Sequence, residues 1–533
     1  MSNQLDMVVV GAGFAGIYQL YKARKLGLSA RVLEAGDGVG GTWFWNRYPG
    51  ARCDVESLDY SYSFDDKLQQ EWNWTERYAA QPEILNYINH VVDRFHLRDG
   101  IQVNSRVAAA TFDESASKWT VRTKSGETFV AQYLVMATGC LSIPQEIKIQ
   151  SLDSFKGRIY HSADWPTEAV DFSGMRVGLI GTGSSGVQIV PLIAEQAKHL
   201  TVFQRTASYS VPAFNEPLSA EALALVKANY AERRAKGREA VTGHYLLANN
   251  KSAVEVSEEE RQKEFEFRWN GAGGGFRMLR AFNDLVRHPV SNEHAAEFCR
   301  GKIRGIVKDP KTAELLCPKD YQPFGGKRLC VDTNYYESFN RSNVSLVDIK
   351  ENPIVRLTEA GVETTAAHYE LDALVLATGF DAMTGAVNAI DITGINGKNL
   401  KSKWEAGPLT YLGISVSGYP NMFLVAGPGS PSVLTNMVHS IEVHVDWIGD
   451  LITRSRALGK RRIEANEQDE AKWVRHLSDL AAKTLYPQGN SWYLGANVPG
   501  KPRVFMPYVG GVPEYRRVIE DVAAKNYEGF TMS

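Results

Sequence analysis

Two glycine loops carry the first chemical information in this sequence. Gly11-Ala-Gly13-Phe14-Ala15-Gly16 and Gly181-Thr182-Gly183-Ser184-Ser185-Gly186 share the spacing Gly-x-Gly-x-x-Gly. The first glycine permits a tight turn and the second lets backbone approach a pyrophosphate. The third lets the following helix lie on its strand, with the helix N-terminus facing the phosphate charge. Two such loops predict two bound dinucleotides. The strand ends downstream of the two loops differ. Glu34 stands 18 residues past Gly16, where a carboxylate accepts hydrogen bonds from an unphosphorylated ribose and repels a 2'-phosphate. The matching position after the second loop holds Gln204-Arg205-Thr206. Read alone, Arg205 also suits a solvated charge at a strand end. In register with the loop it is a bidentate phosphate donor, the change expected when the ligand carries a 2'-phosphate. The first site therefore reads as FAD and the second as NADP(H).

Each loop needs a strand before it and a helix after it. Met7-Val-Val-Val10 and Arg176-Val-Gly-Leu-Ile180 are short apolar runs leading into glycine, and helical spacing comes after both loops. Ala30-Arg-Val-Leu33 and Leu200-Thr-Val-Phe203 supply the next strands. Tyr133-Leu-Val-Met-Ala-Thr-Gly139 and Leu374-Val-Leu-Ala-Thr-Gly379 are apolar strands ending in small-residue turns. The expected fold class is α/β, with two Rossmann-like dinucleotide-binding domains and a helical insertion. Residues 1–143 and 380–533 are assigned to an FAD domain, and 144–213 and 324–379 to an NADP domain. Residues 214–323 form the insertion, where strand patterns are few and charged helical patterns such as Ala224 to Arg234 are long. Ser257-Glu-Glu-Glu260 reads as a capping box, and Gly271-Ala-Gly-Gly-Gly275 as a flexible break suited to a moving lid. Two amphipathic helices are expected near residues 440–458 and 468–485.

Composition excludes several other classes. With 59 basic and 61 acidic residues in 533, the formal charge of −2 gives no reason to expect nucleic acid or an anionic membrane as partner. No window reaches the ~20 apolar residues of a spanning helix, and the apolar run from Met7 lacks a basic leader. The five cysteines show no CxxC spacing, which points to free thiols in a reducing, cytoplasmic setting and removes the dithiol of a disulfide reductase. No metal site is expected.

Between the loops lies Phe155-x-Gly157-x-x-x-His161-x-x-x-Trp165-Pro166. Alone it reads as a linker with aromatic anchors. Placed just before the second glycine loop, it resembles the fingerprint of the type I Baeyer-Villiger monooxygenases, flavoproteins that insert one oxygen atom beside a ketone carbonyl. The resemblance spans the chain, and its wording is most like the branch with phenylacetone and steroid monooxygenases. It implies that NADPH reduces FAD, that O2 gives a C4a-peroxyflavin, and that this attacks a ketone to yield an ester or lactone. The partners so implied are a ketone and O2, for a monomer or weak oligomer.

The resemblance also assigns residues. Pro323 to Arg328 reads alone as a solvated basic turn, but the family pattern makes Arg328 the catalytic arginine and sets Lys327 on the nicotinamide nucleotide; Asp54, if paired with Arg328, would fix the guanidinium fork and temper its charge. In the first site, contacts are expected from Gly11, Gly13, Phe14, Ala15, Gly16 and Glu34. The aromatic loop adds Thr42, Trp43, Phe44, Trp45, Arg52, Cys53, Asp54 and Tyr60, and Val107 joins them. In the second site they come from Thr182, Gly183, Ser184, Ser185, Gly186, Val187 and Gln188, with Arg205 and Thr206. Met437 and Trp492 complete the set, although Trp492 also reads as a core residue. Gly427 to Ser432 resembles a substrate-pocket rim. His161 is expected to dock or hinge domains, not to carry protons. The rival readings are a nitrogen- or sulfur-oxygenating flavin monooxygenase and a redox-sensing flavoprotein that acts through a partner.

Overall fold

The first parallel sheet grows from the apolar run at the N-terminus. In the computed structural model, which describes residues 4–319 and 322–533, strand Gln4–Val10 lies between Ala30–Leu33 and Thr128–Met136, parallel to both. Met422–Leu424 pairs in parallel with Thr128–Met136. A meander through Val107–Asp113 and Lys118–Thr123 extends the sheet on the far side of Thr128–Met136. From Met7 to Val10 the central strand is continuous Met and Val, buried as a covered parallel strand requires. Helix Phe14–Lys25 covers one face and is itself covered by helix Met437–Ala457, with Ile17, Leu20, Val438, Ile448 and Leu451 in one core.

The second sheet is wholly parallel, in the order Val344–Asp348, His199–Gln204, Arg176–Ile180, Ala373–Leu376, Arg158–His161. The fingerprint stretch therefore contains an edge strand of this sheet and is not a free linker. Tyr160 stacks on Trp165 with ring centroids 5.3 Å apart, and Phe172 meets Tyr160 edge-on. At Gly157 a side chain would strike the Phe155 ring and the Asp372 carbonyl.

Six helices between Ala220 and Leu316 make the insertion. The long helix read from Ala224 to Arg234 is two helices, Ala220–Ala228 and Tyr230–Glu239, broken at Asn229. Ser257 caps helix Glu258–Trp269 as its spacing implies, its Oγ accepting from the Glu260 N–H at 3.2 Å. The glycine run at 271–275 is not an open hinge. The Gly273 N–H donates to the Tyr78 hydroxyl at 2.8 Å, and side chains at Gly274 and Gly275 would press on Val331 and Leu329. Close approach to strand Cys330–Asp332, not mobility, explains these glycines. No helix among the described residues is long and apolar enough to cross a membrane.

Candidate active site

The two glycine loops repeat one geometry. Gly11 has φ +103° and Gly181 φ +111°, backbone that favours glycine. Any Cβ there would press on the carbonyl of Ala137 or of Ala377, so each loop sits directly on its Ala-Thr-Gly strand end. At Gly16 and Gly186 a side chain would strike the carbonyl oxygens of Gly11 and Gly181, which fixes helix against strand in both units. Gly13 and Gly183 cap helices that open toward the cleft without any side-chain cap, leaving their N–H groups for a ligand.

A cleft of about 830 Å3 runs between the loops. Glu34 lines it with its carboxylate held from behind, Oε2 accepting from the Ala12 N–H at 2.7 Å and Oε1 from the Gly36 N–H at 2.8 Å. That suits ribose hydroxyls in front. Gly11, Gly13, Phe14, Ala15, Thr42, Trp43, Trp45, Tyr60 and Val107 all face this space. The Trp43 indole donates to the Tyr60 hydroxyl at 3.1 Å, making one aromatic wall. Phe44 does not line the cleft: its ring covers Gly36 and Gly38 and supports the loop from outside. Arg52 faces the cleft but is engaged by the Tyr78 carbonyl at 2.6 Å and Glu76 at 3.0 Å. Burial pushes the Cys53 and Cys140 thiols up, Cys140 to about 11, so neither is a nucleophile at neutral pH.

On the opposite side, Gly183, Ser184, Ser185 and Gln188 face the same cleft. Thr182 is turned away and donates to the Thr206 carbonyl at 2.9 Å, tying loop to strand end, while Val187 is fully buried core. Arg205 is exposed at the end of His199–Gln204 and lies outside the cleft lining. Its charge reaches Lys327, whose ammonium is brought down to about 8, first by burial and then by Arg205. Two cations near enough to repel one another suit a doubly charged phosphate.

Arg328 and Asp54 stand where the two units face each other. Arg328 Nε and Nη2 each lie 2.7 Å from a carboxylate oxygen of Asp54, and Nη1 donates to the Val433 carbonyl at 2.6 Å. The guanidinium rides over the Phe276 ring, 4.3 Å from its centroid. Burial opposes the charge on both partners; their attraction outweighs it, holding Asp54 below the usual carboxylate range and Arg328 above the usual guanidinium range. Met437, Trp492 and Asn497 line the cleft nearby. The Gly427 to Ser432 stretch is mostly buried behind this wall, and the rim itself is Val433, Thr435 and Met437.

His161 closes the Arg158–His161 strand. Its Nδ1 accepts from the Ala163 N–H at 3.1 Å, and its Nε2 is buried with no partner among the described residues. Burial holds its pKa below the usual value, against the pull of Asp164, so the ring is neutral at physiological pH. Several contributors escape a sequence reading. Tyr48 donates to Gln188 Oε1 at 2.9 Å, and Gln188 Nε2 donates to the Arg52 carbonyl at 3.1 Å, so the aromatic loop of one unit is bonded to the phosphate-facing helix of the other. Only the density of polar aromatics near Tyr48 hinted at it. The Val433 carbonyl and Phe276 carry no local signal.

Two dinucleotide-binding sheets facing one cleft, with an arginine at their junction, define a flavin- and nicotinamide-dependent oxidoreductase. Comparison with known proteins narrows this. Residues 8–269 match the family described as pyridine nucleotide-disulphide oxidoreductase. A phenazine N-monooxygenase of Lysobacter antibioticus is 44% identical, over 99% of this chain and 97% of that protein. A Baeyer-Villiger monooxygenase of Pseudooceanicola batsensis is 43% identical, over 98% and 95%. A solved structure described as an oxidized steroid monooxygenase bound to NADP superposes with TM-score 0.95 at 52% identity, covering 99% of each chain. The chain belongs to the type I Baeyer-Villiger monooxygenase family, and its cofactors are FAD and NADP(H).

Proposed function

We propose that the protein uses NADPH and O2 to insert one oxygen atom beside a ketone carbonyl, giving an ester or lactone. The observation that carries this reading is the Arg328–Asp54 fork at the meeting point of the two dinucleotide sites. FAD bound along the first glycine loop supplies the two-electron chemistry that activates O2. The chain's own residues supply position and charge. Glu34 selects the unphosphorylated ribose, and Arg205 with Lys327 selects the 2'-phosphate. Arg328 stays charged at any working pH and stabilises negative charge that develops on the substrate oxygen. Asp54, the Val433 carbonyl and the Tyr493 hydroxyl hold its plane. The apolar wall excludes water, which strengthens that field. His161 couples the edge strand of the NADP unit to the cleft. Buried Cys53, Cys299, Cys317 and Cys330 support a reducing cytoplasmic setting; we read the protein as a monomer or weak oligomer.

A second reading is oxygenation of an aromatic ring nitrogen, favoured by the phenazine N-monooxygenase relative. Product identification after incubation with NADPH, O2 and a panel of linear, cyclic, aromatic and steroidal ketones, a thioether and a phenazine separates the two. Esters or lactones are expected. N-oxide alone, with no ketone consumed, would overturn the first reading.

A further inference from the structure

Beside the dinucleotide cleft lies a second cavity, of about 250 Å3. Asp54, Arg328 and Thr435 line both, so the two spaces meet at the arginine fork. Phe276, Leu279, Phe282 and Leu434 give the second cavity apolar walls, yet its charge is one-sided. Arg280, Arg287, Lys327 and Arg328 face it, against one carboxylate, Asp54, that Arg328 already occupies. Lys327 and Arg328 have roles in ketone oxygenation. Arg280 has none assigned.

Arg280 comes directly after helix Gly274–Leu279, and its backbone is fixed by bonds to Arg277 and Asn249, each 3.1 Å. Its guanidinium makes no hydrogen bond or ion pair with any described residue. Three other arginines of the helical insertion are matched by carboxylates, Arg261 by Glu258, Arg268 by Glu264 and Arg300 by Glu293 and Glu297, whereas Arg287, which lines the cavity with Arg280, makes no side-chain hydrogen bond or ion pair with a described residue either. Burial weakens the hold of Arg280 on its proton; the Tyr486 phenol opposes that effect and Arg287 adds to it. Arg280 is half-buried, and a partly desolvated guanidinium with no counter-charge among the described residues takes a ligand or solvent as its partner. The apolar walls favour a ligand. So does the position, because anything that reaches Arg280 from inside this cavity also lies beside Arg328.

We propose that this cavity receives a ketone bearing a carboxylate, the carboxylate paired with Arg280 and the carbonyl directed to Arg328. The inference rests on the proposed ketone oxygenation and names its substrate class. At about 250 Å3 the space falls just below the usual range of ligand pockets, roughly 300–1,000 Å3, and it favours a compact oxo acid over a steroid.

A homologous series of methyl-ketone acids and their methyl esters tests it, with kcat/KM measured for native enzyme, Arg280→Met and Arg280→Lys. FAD content and thermal midpoint of each variant establish that it folds. The acid should be preferred by native enzyme at one chain length. Arg280→Met should lose on the order of 10- to 100-fold on that acid, the scale of a charge-assisted hydrogen bond, with the ester little changed and Arg280→Lys in between. An unchanged acid-to-ester ratio in Arg280→Met overturns the proposal, as does a rise in the NADPH KM for acid and ester alike, which would assign Arg280 to the coenzyme. Calorimetric titration of the FAD-loaded enzyme with alkanoic acids that lack the ketone reads the anion site without turnover. Binding that Arg280→Met abolishes supports the site even if no ketone is oxygenated, and that second result would count against the ketone reading alone. Oxygenation of neutral ketones with no Arg280-dependent binding of acids would count against the anion site alone.

Discussion

Arg328 grips Asp54 with two parallel bonds of 2.7 Å, from Nε and Nη2 to the two carboxylate oxygens, across 274 residues of chain. Such a fork fixes both position and plane of the guanidinium. Asp54→Asn keeps the shape but gives up the ion pair and one of the two acceptor oxygens. Substrate oxygenation should fall by at least tenfold while FAD content stays near that of the native protein, measured by product formation against bound flavin absorbance. Unchanged oxygenation would mean that the fork is structural only.

Coenzyme choice should depend on Arg205. Its alanine variant is expected to lose ~2 kcal/mol, about thirtyfold, of the preference for NADPH over NADH, the scale of a charge-assisted hydrogen-bond pair. The ratio of kcat/KM values for the two coenzymes reads this directly. Equal efficiency with both coenzymes in the native enzyme would refute the assignment.

Lys327 gives that preference a pH dependence. With its ammonium brought down to about 8 by burial and by Arg205, it is charged below that pH and loses its proton above it. Because kcat/KM reports groups on the free enzyme, kcat/KM for NADPH should decline as pH rises through about 8. The same limb should be absent with NADH and in Lys327→Met. A limb that persists in Lys327→Met belongs to another group.

His161 is expected to act through structure. Its ring is buried and neutral, with Nδ1 taken by the Ala163 N–H. His161→Ala should slow turnover without removing a limb of the pH-rate profile near the histidine pKa. A lost limb, with flavin and NADPH binding intact, would make it a proton carrier.

The parts of this site that sequence makes legible are those written in one continuous stretch. Glu34 and Arg205 each stand at a fixed register from a glycine loop, one strand later; Glu34 lies on the cleft wall, whereas Arg205 is exposed at its strand end outside the cleft lining. The Ala-Thr-Gly ends are readable as small-residue turns, although the structure shows that the glycines facing them, Gly11 and Gly181, are the residues with no room for a side chain. The Arg328–Asp54 pair has no local signature; two charges so far apart in the chain are joined on paper only by family resemblance. The glycine run at 271–275 misleads for a related reason. Glycine marks both mobility and close approach, and only the positions of Tyr78, Leu329 and Val331 decide between them. Arg280 has no signal in the sequence, and its lack of a partner among the described residues is seen only in three dimensions.

The central claim is that Arg328 stabilises developing negative charge on oxygen, and rapid-mixing spectroscopy of Arg328→Ala tests it most directly. Removal of such a donor typically costs about 100- to 1000-fold in rate, and the loss should fall on oxygen transfer, not on flavin binding. The variant should therefore hold its yellow flavin and be reduced by NADPH, yet release hydrogen peroxide in place of ester when mixed with O2 and ketone. If Arg328→Ala instead oxygenates the ketone at near the native rate, the stabilising charge lies elsewhere and the account fails.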